Sequence, residues 1–128
     1  MKDFEGKTVL IVDDEQEIRE LLKEEFEYYG AIVLEAANGK IAAQIFEERP
    51  SDFVVTDIRM PGGDGIELLR KIKAGNREFP VLVMSAYSDI SRNEAIELGA
   101  DAFFSKPFNL EKLRTTALSL LKPPIRNV

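Results

Sequence analysis

Four short apolar runs in this chain end on a side chain that can do chemistry. Val9-Leu10-Ile11-Val12 ends in Asp13-Asp14, and Phe53-Val54-Val55-Thr56 ends in Asp57. Val81-Leu82-Val83-Met84 ends in Ser85, and Ala102-Phe103-Phe104 leads into Lys106-Pro107. Taken singly, each has an ordinary role. Asp57 can stop a strand, Asp14 with Glu17 three residues on can cap a helix, Ser85 can begin a turn, and a lysine is most often solvated. The set is far more specific than its members. A carboxylate that closes an apolar run needs a partner, because desolvating an unpaired charge is expensive. An all-oxygen acidic cluster suits a hard divalent cation, and Mg²⁺ is the usual one where phosphate also binds. Lys106 adds a mobile cation for an arriving anion, and Ser85 adds a hydroxyl donor. Acids, a Mg²⁺ site, a lysine and a hydroxyl together make a phosphoryl-transfer site.

Composition narrows the chemistry further. The chain has no histidine and no cysteine, which removes the commonest general base, thiol nucleophiles, disulfides and zinc–thiolate sites. Net charge is −6, and no basic cluster is longer than Arg70-Lys71, so direct nucleic-acid or anionic-membrane binding is not expected. No signal peptide or membrane-length apolar run is present, which predicts a cytoplasmic protein. The 128 residues fit one domain. Its core is expected from about residue 7 to 121, between a short polar lead-in over 1–6 and a short polar tail over 122–128.

The elements that must position these groups follow from hydrophobic period. The four runs, with Ile32-Val33-Leu34, are continuous rather than alternating, as in strands covered on both faces of a parallel sheet. Helical stripes lie between them: Ile18, Leu22, Phe26 and Tyr29; Ile41, Ala42, Ile45 and Phe46; Ile66, Leu69 and Ile72. A fourth helix is expected from Ile90 to Leu98, and a fifth carries Leu110, Leu113, Ala117, Leu120 and Leu121. Gly30, Pro50, Gly75-Asn76, Gly99 and Pro123-Pro124 punctuate, while Asn38, Asp64 and Asn109 can cap. Five strands alternating with five helices imply right-handed crossovers and a doubly wound α/β fold. The expected order is 2-1-3-4-5, in a flavodoxin-like three-layer α/β/α arrangement.

In such a sheet the ligand crevice lies at the carboxyl ends of strands 1 and 3, where strand order reverses. Asp13-Asp14 and Asp57 sit there, with Ser85 and Lys106 on the next strands, whereas strand 2 ends in Glu35-Ala36-Ala37 and contributes nothing obvious. Neighbouring strands are about 4.8 Å apart. At that spacing two carboxylates repel by roughly 3 kcal/mol at an effective dielectric of about 20. Three of them need a cation or a shifted pKa.

The pieces Leu10-Ile11-Val12-Asp13-Asp14-Glu15, Asp57 followed by Met60-Pro61-Gly62-Gly63-Asp64-Gly65, Met84-Ser85-Ala86 and Lys106-Pro107-Phe108 have a telling order and spacing. From about Lys7 to Leu121 the chain resembles the receiver domain of bacterial two-component response regulators. The resemblance implies that Asp57 accepts a phosphoryl group from a sensor histidine kinase or histidine phosphotransfer protein. It implies that Asp14, Asp57 and the backbone carbonyl of Arg59 ligate Mg²⁺ directly, with Asp13 acting largely through water. Lys106 would contact the phosphoryl group, Ser85 would move towards it in the active state, and Lys106-Pro107 would be a cis peptide. The response is expected over helix 4, strand 5 and helix 5, where a downstream effector protein or domain would bind. A switch of this kind catalyses its own phosphorylation and slow dephosphorylation but is not a turnover enzyme.

Two features depart from the family pattern, one a single position and the other a pair. The switch aromatic on strand 5 is often tyrosine and here is Phe103, which can rotate and pack but has no hydroxyl. Arg59 and Tyr87, two residues past Asp57 and Ser85, are both bulky and are expected to obstruct attacking water and slow phosphoryl loss. A Mg²⁺-dependent phosphohydrolase with an aspartyl nucleophile is the main alternative, but haloacid-dehalogenase-like phosphatases carry D-x-D after strand 1, which Asp13-Asp14 does not supply. A flavodoxin-like cofactor binder would place phosphate beside Asp13, Asp14, Glu15 and Glu17, which repel it. A phosphorylation-dead scaffold would not need the intact acid, serine and lysine set. An end shortly after the fifth helix fits both a stand-alone regulator and the receiver part of a longer one.

Overall fold

A computed structural model describes residues 3–62, 64–86 and 90–121 of the chain. Tyr87, Gly63 and the Pro123-Pro124 breaker lie outside the described residues. The elements alternate throughout: β1 (Thr8–Val12), α1 (Gln16–Tyr28), β2 (Ile32–Ala36), α2 (Gly39–Glu48), β3 (Phe53–Asp57), α3 (Gly65–Gly75), β4 (Val81–Ala86), α4 (Arg92–Glu97), β5 (Ala102–Lys106) and α5 (Leu110–Leu121). All strand pairs are parallel, in the order β2-β1-β3-β4-β5.

Side chains alternate across the sheet, so each strand feeds two cores. Val9, Ile11, Phe53, Val55, Leu82 and Met84 pack with Leu22 and Phe26 of α1 and Leu113 and Ala117 of α5. Leu10, Val12, Val54, Val81, Val83 and Phe103 pack with Ala42, Leu68, Leu69, Ile72 and Ala95 from α2, α3 and α4. Both faces are covered, which is why the strands read as unbroken apolar runs.

Strands β2 to β5 end later than their apolar runs, while β1 ends with its run at Val12. Asp57, Ser85 and Lys106 are still paired in the ladder, with Asp57 opposite Met84, Ser85 opposite Ser105 and Ala86 opposite Lys106. Asp57, Ser85 and Lys106 therefore belong to the rigid sheet rather than to free loops, while Asp13 and Asp14 follow directly on β1.

Most of the expected caps are formed. Asn38 Oδ1 accepts from Ile41 N at 2.8 Å, Asp64 Oδ1 from Glu67 N at 2.9 Å, and Asn109 Oδ1 from Lys112 N at 2.9 Å. Helix α4 is shorter than expected because Ser91 stops it in a reciprocal capping box with Glu94, and Gly99 turns the chain away at φ +107. Ile90 falls just before the cap and is buried in the same core as Ala95, the arrangement of a hydrophobic staple. Ile41 is a second correction. It lies about 100° around α2 from buried Ala42 and is exposed, at the edge of the stripe rather than in it.

The polar lead-in is the third correction. Phe4 is fully buried, with its ring 5.2 Å from Phe26 and 5.7 Å from Phe53, and Phe26 is 5.5 Å from Phe53. Its backbone N–H donates to the Tyr29 carbonyl at 2.8 Å, so the segment is tied down by both backbone and ring. One aromatic among charged neighbours carries no periodic signal, which is why the sequence pattern missed it. Phe4→Ala is expected to cost about 3–4 kcal/mol in denaturant unfolding, the usual cost of truncating a buried phenylalanine. A change near zero would make the segment an appendage.

Candidate functional site

The crevice is assembled from strand ends. Asp13 follows β1 and is fully buried. Its Oδ1 accepts from Glu15 N at 2.8 Å and its Oδ2 from Lys106 Nζ at 2.8 Å. Asp57 ends β3 and is nearly buried. Its Oδ1 accepts from Ile58 N at 2.8 Å, and its Oδ2 faces Lys106 Nζ at 3.1 Å. Asp14 is exposed at the mouth, and one carboxylate oxygen from each of Asp13, Asp14 and Asp57 lies within 4.8 Å of the others. A cleft of about 260 Å³ opens here, lined by Asp14, Glu15, Asp57, Arg59, Ala86 and Lys106. The Lys106–Pro107 peptide is cis.

Burial pushes the pKa of Asp13 up, against the pull of Lys106 and of the Glu15 amide. Burial also raises Asp57, and the neighbouring Asp13 charge adds to it, again against Lys106. For Lys106, burial disfavours the ammonium, but bonds to and charges on Asp13 and Asp57 outweigh it and raise its pKa. Lysine stays charged while the acids resist ionising, so one ammonium does not offset the cluster. The donor set, three carboxylates with no nitrogen or sulfur, fits a hard divalent cation.

Ser85 is buried beside this cleft, and its Oγ donates to the Ala86 carbonyl at 2.9 Å. Phe103 points into the core on the α4 side, and its carbonyl faces Arg92 Nη2 at 3.5 Å. Asp13, Asp14, Asp57 and Lys106 thus come together, with Ser85 at the edge and Phe103 behind.

Several supporting residues escaped the sequence reading. Asp14 does not cap α1; Glu15 occupies that position, and its carboxylate instead reaches Lys106 Nζ at 3.2 Å. The strand-2 end is not idle. Glu35 pairs with Arg19 Nε at 3.4 Å and Lys23 Nζ at 3.6 Å, and Arg19 Nη1 donates to the Asp13 carbonyl at 2.7 Å. The Asp13 amide donates to the Ala36 carbonyl at 3.1 Å. Beneath Asp57, Thr56 Oγ1 donates to the Asp57 carbonyl at 2.8 Å, and Gly65 N donates to the Ile58 carbonyl at 2.7 Å. A Cβ on Gly65 would run into the Asp57 carbonyl oxygen, so α3 can start this close to the acid only from glycine. The signal for Gly65 was in the Met60-Pro61-Gly62-Gly63-Asp64-Gly65 stretch; the Arg19–Glu35 link spans two elements and has no local signature.

A doubly wound sheet with an acid–lysine crevice at its switch point defines a class of phosphoryl-accepting domains, and comparison with known proteins narrows it. The family model for the response regulator receiver domain matches residues 9–118. Sporulation initiation phosphotransferase F of Bacillus subtilis is 40% identical over 110 residues, covering 85% of this chain and 89% of that protein. The regulatory protein AtoC of Escherichia coli is 36% identical over 126 residues, which is 94% of this chain but 27% of AtoC. Among solved structures, the response regulator TrrA of Thermotoga maritima in complex with Mg²⁺–BeF superposes with a TM-score of 0.81 at 36% identity, covering 90% of this chain and 99% of that one. The chain belongs to the response regulator receiver domain family. It is a phosphorylation-dependent signalling switch of the two-component type. Among the described residues no helix is long and apolar enough to cross a membrane.

The raised acid pKa values carry a prediction with a definite sign. A folded-state pKa above the unfolded one means that ionising Asp57 costs stability, fully so above the folded value and not at all below the unfolded one. In the presence of a chelator, Asp57→Asn should therefore melt higher than wild type near neutral pH, and the gap should close on acidification. Thermal melts from pH 7 downwards check this. A variant less stable than wild type at neutral pH would contradict it.

Proposed function

We propose that Asp57 is the phosphoacceptor, that Asp13, Asp14, Asp57 and the Arg59 backbone carbonyl hold Mg²⁺, and that Lys106 and Ser85 read the phosphoryl group. The observation that carries this reading is the split environment of Asp57. One oxygen is fixed by the Ile58 amide at 2.8 Å, while the other faces the cleft and the Lys106 ammonium at 3.1 Å. A carboxylate oriented in this way can act as a nucleophile. A new bond forms between an Asp57 oxygen and phosphorus, the bond from phosphorus to the donor breaks, and the donor atom leaves with its electron pair.

Mg²⁺, when bound, supplies the charge neutralisation that lets an anionic phosphoryl group approach four acids. The chain's own groups do the rest. Ile58 N–H orients the acceptor, Thr56 and Gly65 fix the strand end, and Lys106 turns from carboxylate to phosphoryl oxygens. Ser85 exchanges its bond to the Ala86 carbonyl for one to the phosphoryl group. That exchange withdraws Ser85 from the end of β4 and opens room behind it towards Phe103, on the α4 side. The donor is a sensor histidine kinase or a histidine phosphotransfer protein, and the output is an effector protein or domain that meets α4, β5 and α5. The chain acts as one receiver unit in the cytoplasm, its core beginning at Phe4. It works as a switch rather than a turnover enzyme: the phosphohydrolase alternative lacks its D-x-D, and Asp13 is already engaged with Lys106.

Acetyl phosphate with Mg²⁺ should add one phosphoryl group to wild type and none to Asp57→Asn or to chelated wild type. Lys106→Ala should keep Mg²⁺ affinity within a few-fold yet label about a hundredfold more slowly, the scale for losing one positioned donor. Intact-mass labelling and Mg²⁺ titration separate these arms. Equal labelling of wild type and Asp57→Asn would remove the assignment, and loss of Mg²⁺ binding in Lys106→Ala would reassign the lysine.

Beryllofluoride, a phosphoryl mimic, should change amide exchange over residues 92–121 and spare α2. Changes centred on α2 with α4 and β5 unmoved would place the output elsewhere.

A further inference from the structure

We infer that Glu15 is a positioning residue that parks Lys106 in the resting protein and gives it up when the phosphoryl group arrives. This rests on the reading of Asp57 and Lys106 just given. A lysine ammonium has three N–H donors and no acceptor. Here three carboxylates meet it: Asp13 at 2.8 Å, Asp57 at 3.1 Å and Glu15 at 3.2 Å. Every donor is spoken for. Lys106 can therefore bond a phosphoryl oxygen only by releasing one of these three.

Burial decides which one. The side chain of Asp13 is fully buried and that of Asp57 only 8% exposed, so abandoning either leaves a carboxylate in a dry site. Glu15 is 60% exposed, and water replaces its lost partner directly. It also holds the longest of the three bonds.

The backbone around Glu15 is held still while its side chain is not. Its N–H donates to Asp13 Oδ1 at 2.8 Å, and its carbonyl accepts from Ile18 N at 3.1 Å and Arg19 N at 3.2 Å. It stands at the N-cap of α1, where a side chain usually accepts a helix amide, and makes no such bond. Its carboxylate is thus mounted on a rigid stem and committed to Lys106 rather than to the helix. Every conformational change that the exchange needs lies in the Glu15 side chain and the Lys106 stem.

The consequence is a gate on phosphorylation. With Glu15 in place, part of the resting population holds Lys106 away from the incoming group. Without it, Lys106 keeps one donor free between Asp13 and Asp57. Glu15→Gln should raise the rate constant for labelling by acetyl phosphate about two- to fivefold, the worth of one exposed ion pair. Glu17→Gln, the same charge change two residues on, in the first turn of α1 and with no ion pair to Lys106, is the control for long-range charge. Glu15→Asp, whose carboxylate is one methylene shorter, should lie between wild type and Glu15→Gln. In a Lys106→Met background, Glu15→Gln should change nothing, since there is no ammonium to park.

An equal gain from Glu17→Gln, or the same gain in the Lys106→Met background, would overturn the inference and leave only bulk electrostatics. The resting protein supplies a readout free of phosphorylation. The ¹⁵N-detected ammonium signal of Lys106 should shift in Glu15→Gln and stay put in Glu17→Gln, and the Glu15 carboxylate ¹³C signal should move towards its solvated position on beryllofluoride binding. An unshifted Lys106 signal in Glu15→Gln would end the proposal even if Asp57 labels normally. A shifted signal together with no labelling at Asp57 would support the contact and instead remove the assignment of the acceptor.

Discussion

The structure turns on one electrostatic constraint. Two carboxylates, Asp13 and Asp57, are buried at neighbouring strand ends and bridged by a single ammonium, Lys106, from a third strand. In a low-dielectric crevice that arrangement is held together by its geometry and strained by its charge count. Burial outweighs the lysine at both acids and raises their pKa values. A site in this condition has a standing affinity for added positive charge. It also resists an approaching anion until that charge is supplied. Both properties suit a phosphoacceptor that should react only with metal present.

Everything around the crevice limits how the acids can relax. Asp13 is pinned through its amide by the Ala36 carbonyl, through its carbonyl by Arg19, and through its carboxylate by the Glu15 amide. Asp57 is pinned through its carbonyl by Thr56 and its carboxylate by the Ile58 amide, with Gly65 pressed against the strand from α3. A flexible site would lower its energy by turning one acid into solvent. Here the sheet register and these bonds prevent it. The bonds that are cheap to exchange are that of Lys106 to the exposed Glu15 and that of Ser85 to the Ala86 carbonyl.

The fold was legible in the sequence because its signal is redundant. Among the described residues ten elements alternate, their apolar runs are continuous where the sheet is covered on both faces, and Asn38, Asp64 and Asn109 cap where their residue types suggest. The site was legible for a related reason: the strands end at the crevice, so reading where each apolar run stops also reads what lines it. What was not legible depends on contacts between elements. Phe4 is one aromatic in a charged segment, and only the positions of Phe26 and Phe53 make it core. Arg19 and Glu35 belong to different elements, and neither marks the other. Glu15 reads as one more acid of the stretch after strand 1, and only the lysine across the sheet shows where its carboxylate goes. Ile41 fits the helical period but falls at the stripe's edge, a difference in angle that residue type does not encode.

The uneven fastening of the helices then determines where a change at the crevice can be expressed. Helix α5 is fixed to α1 by Leu113 and Ala117, both fully buried, and by Arg114. That arginine donates to Glu25 at 2.7 Å and lies 4.0 Å over the Tyr29 ring. Helix α4 has six residues, too few to be stable by itself, and Ala95 is its one buried residue. Its lower end is held through the following loop, where Asp101 accepts from Lys73 Nζ at 2.7 Å and from Val81 N at 2.8 Å. Its upper end leans on Ile90 and on the core around Phe103. A withdrawal of Ser85 from the end of β4 acts on that upper end, because Phe103 and Ile90 share its core, while Lys73 and Asp101 hold the lower end. Local opening costs least where least apolar surface is buried. The response should therefore be largest in α4, which tilts about its lower anchor as Phe103 repacks, and smaller in β5 and in α5, which keeps its seat on α1.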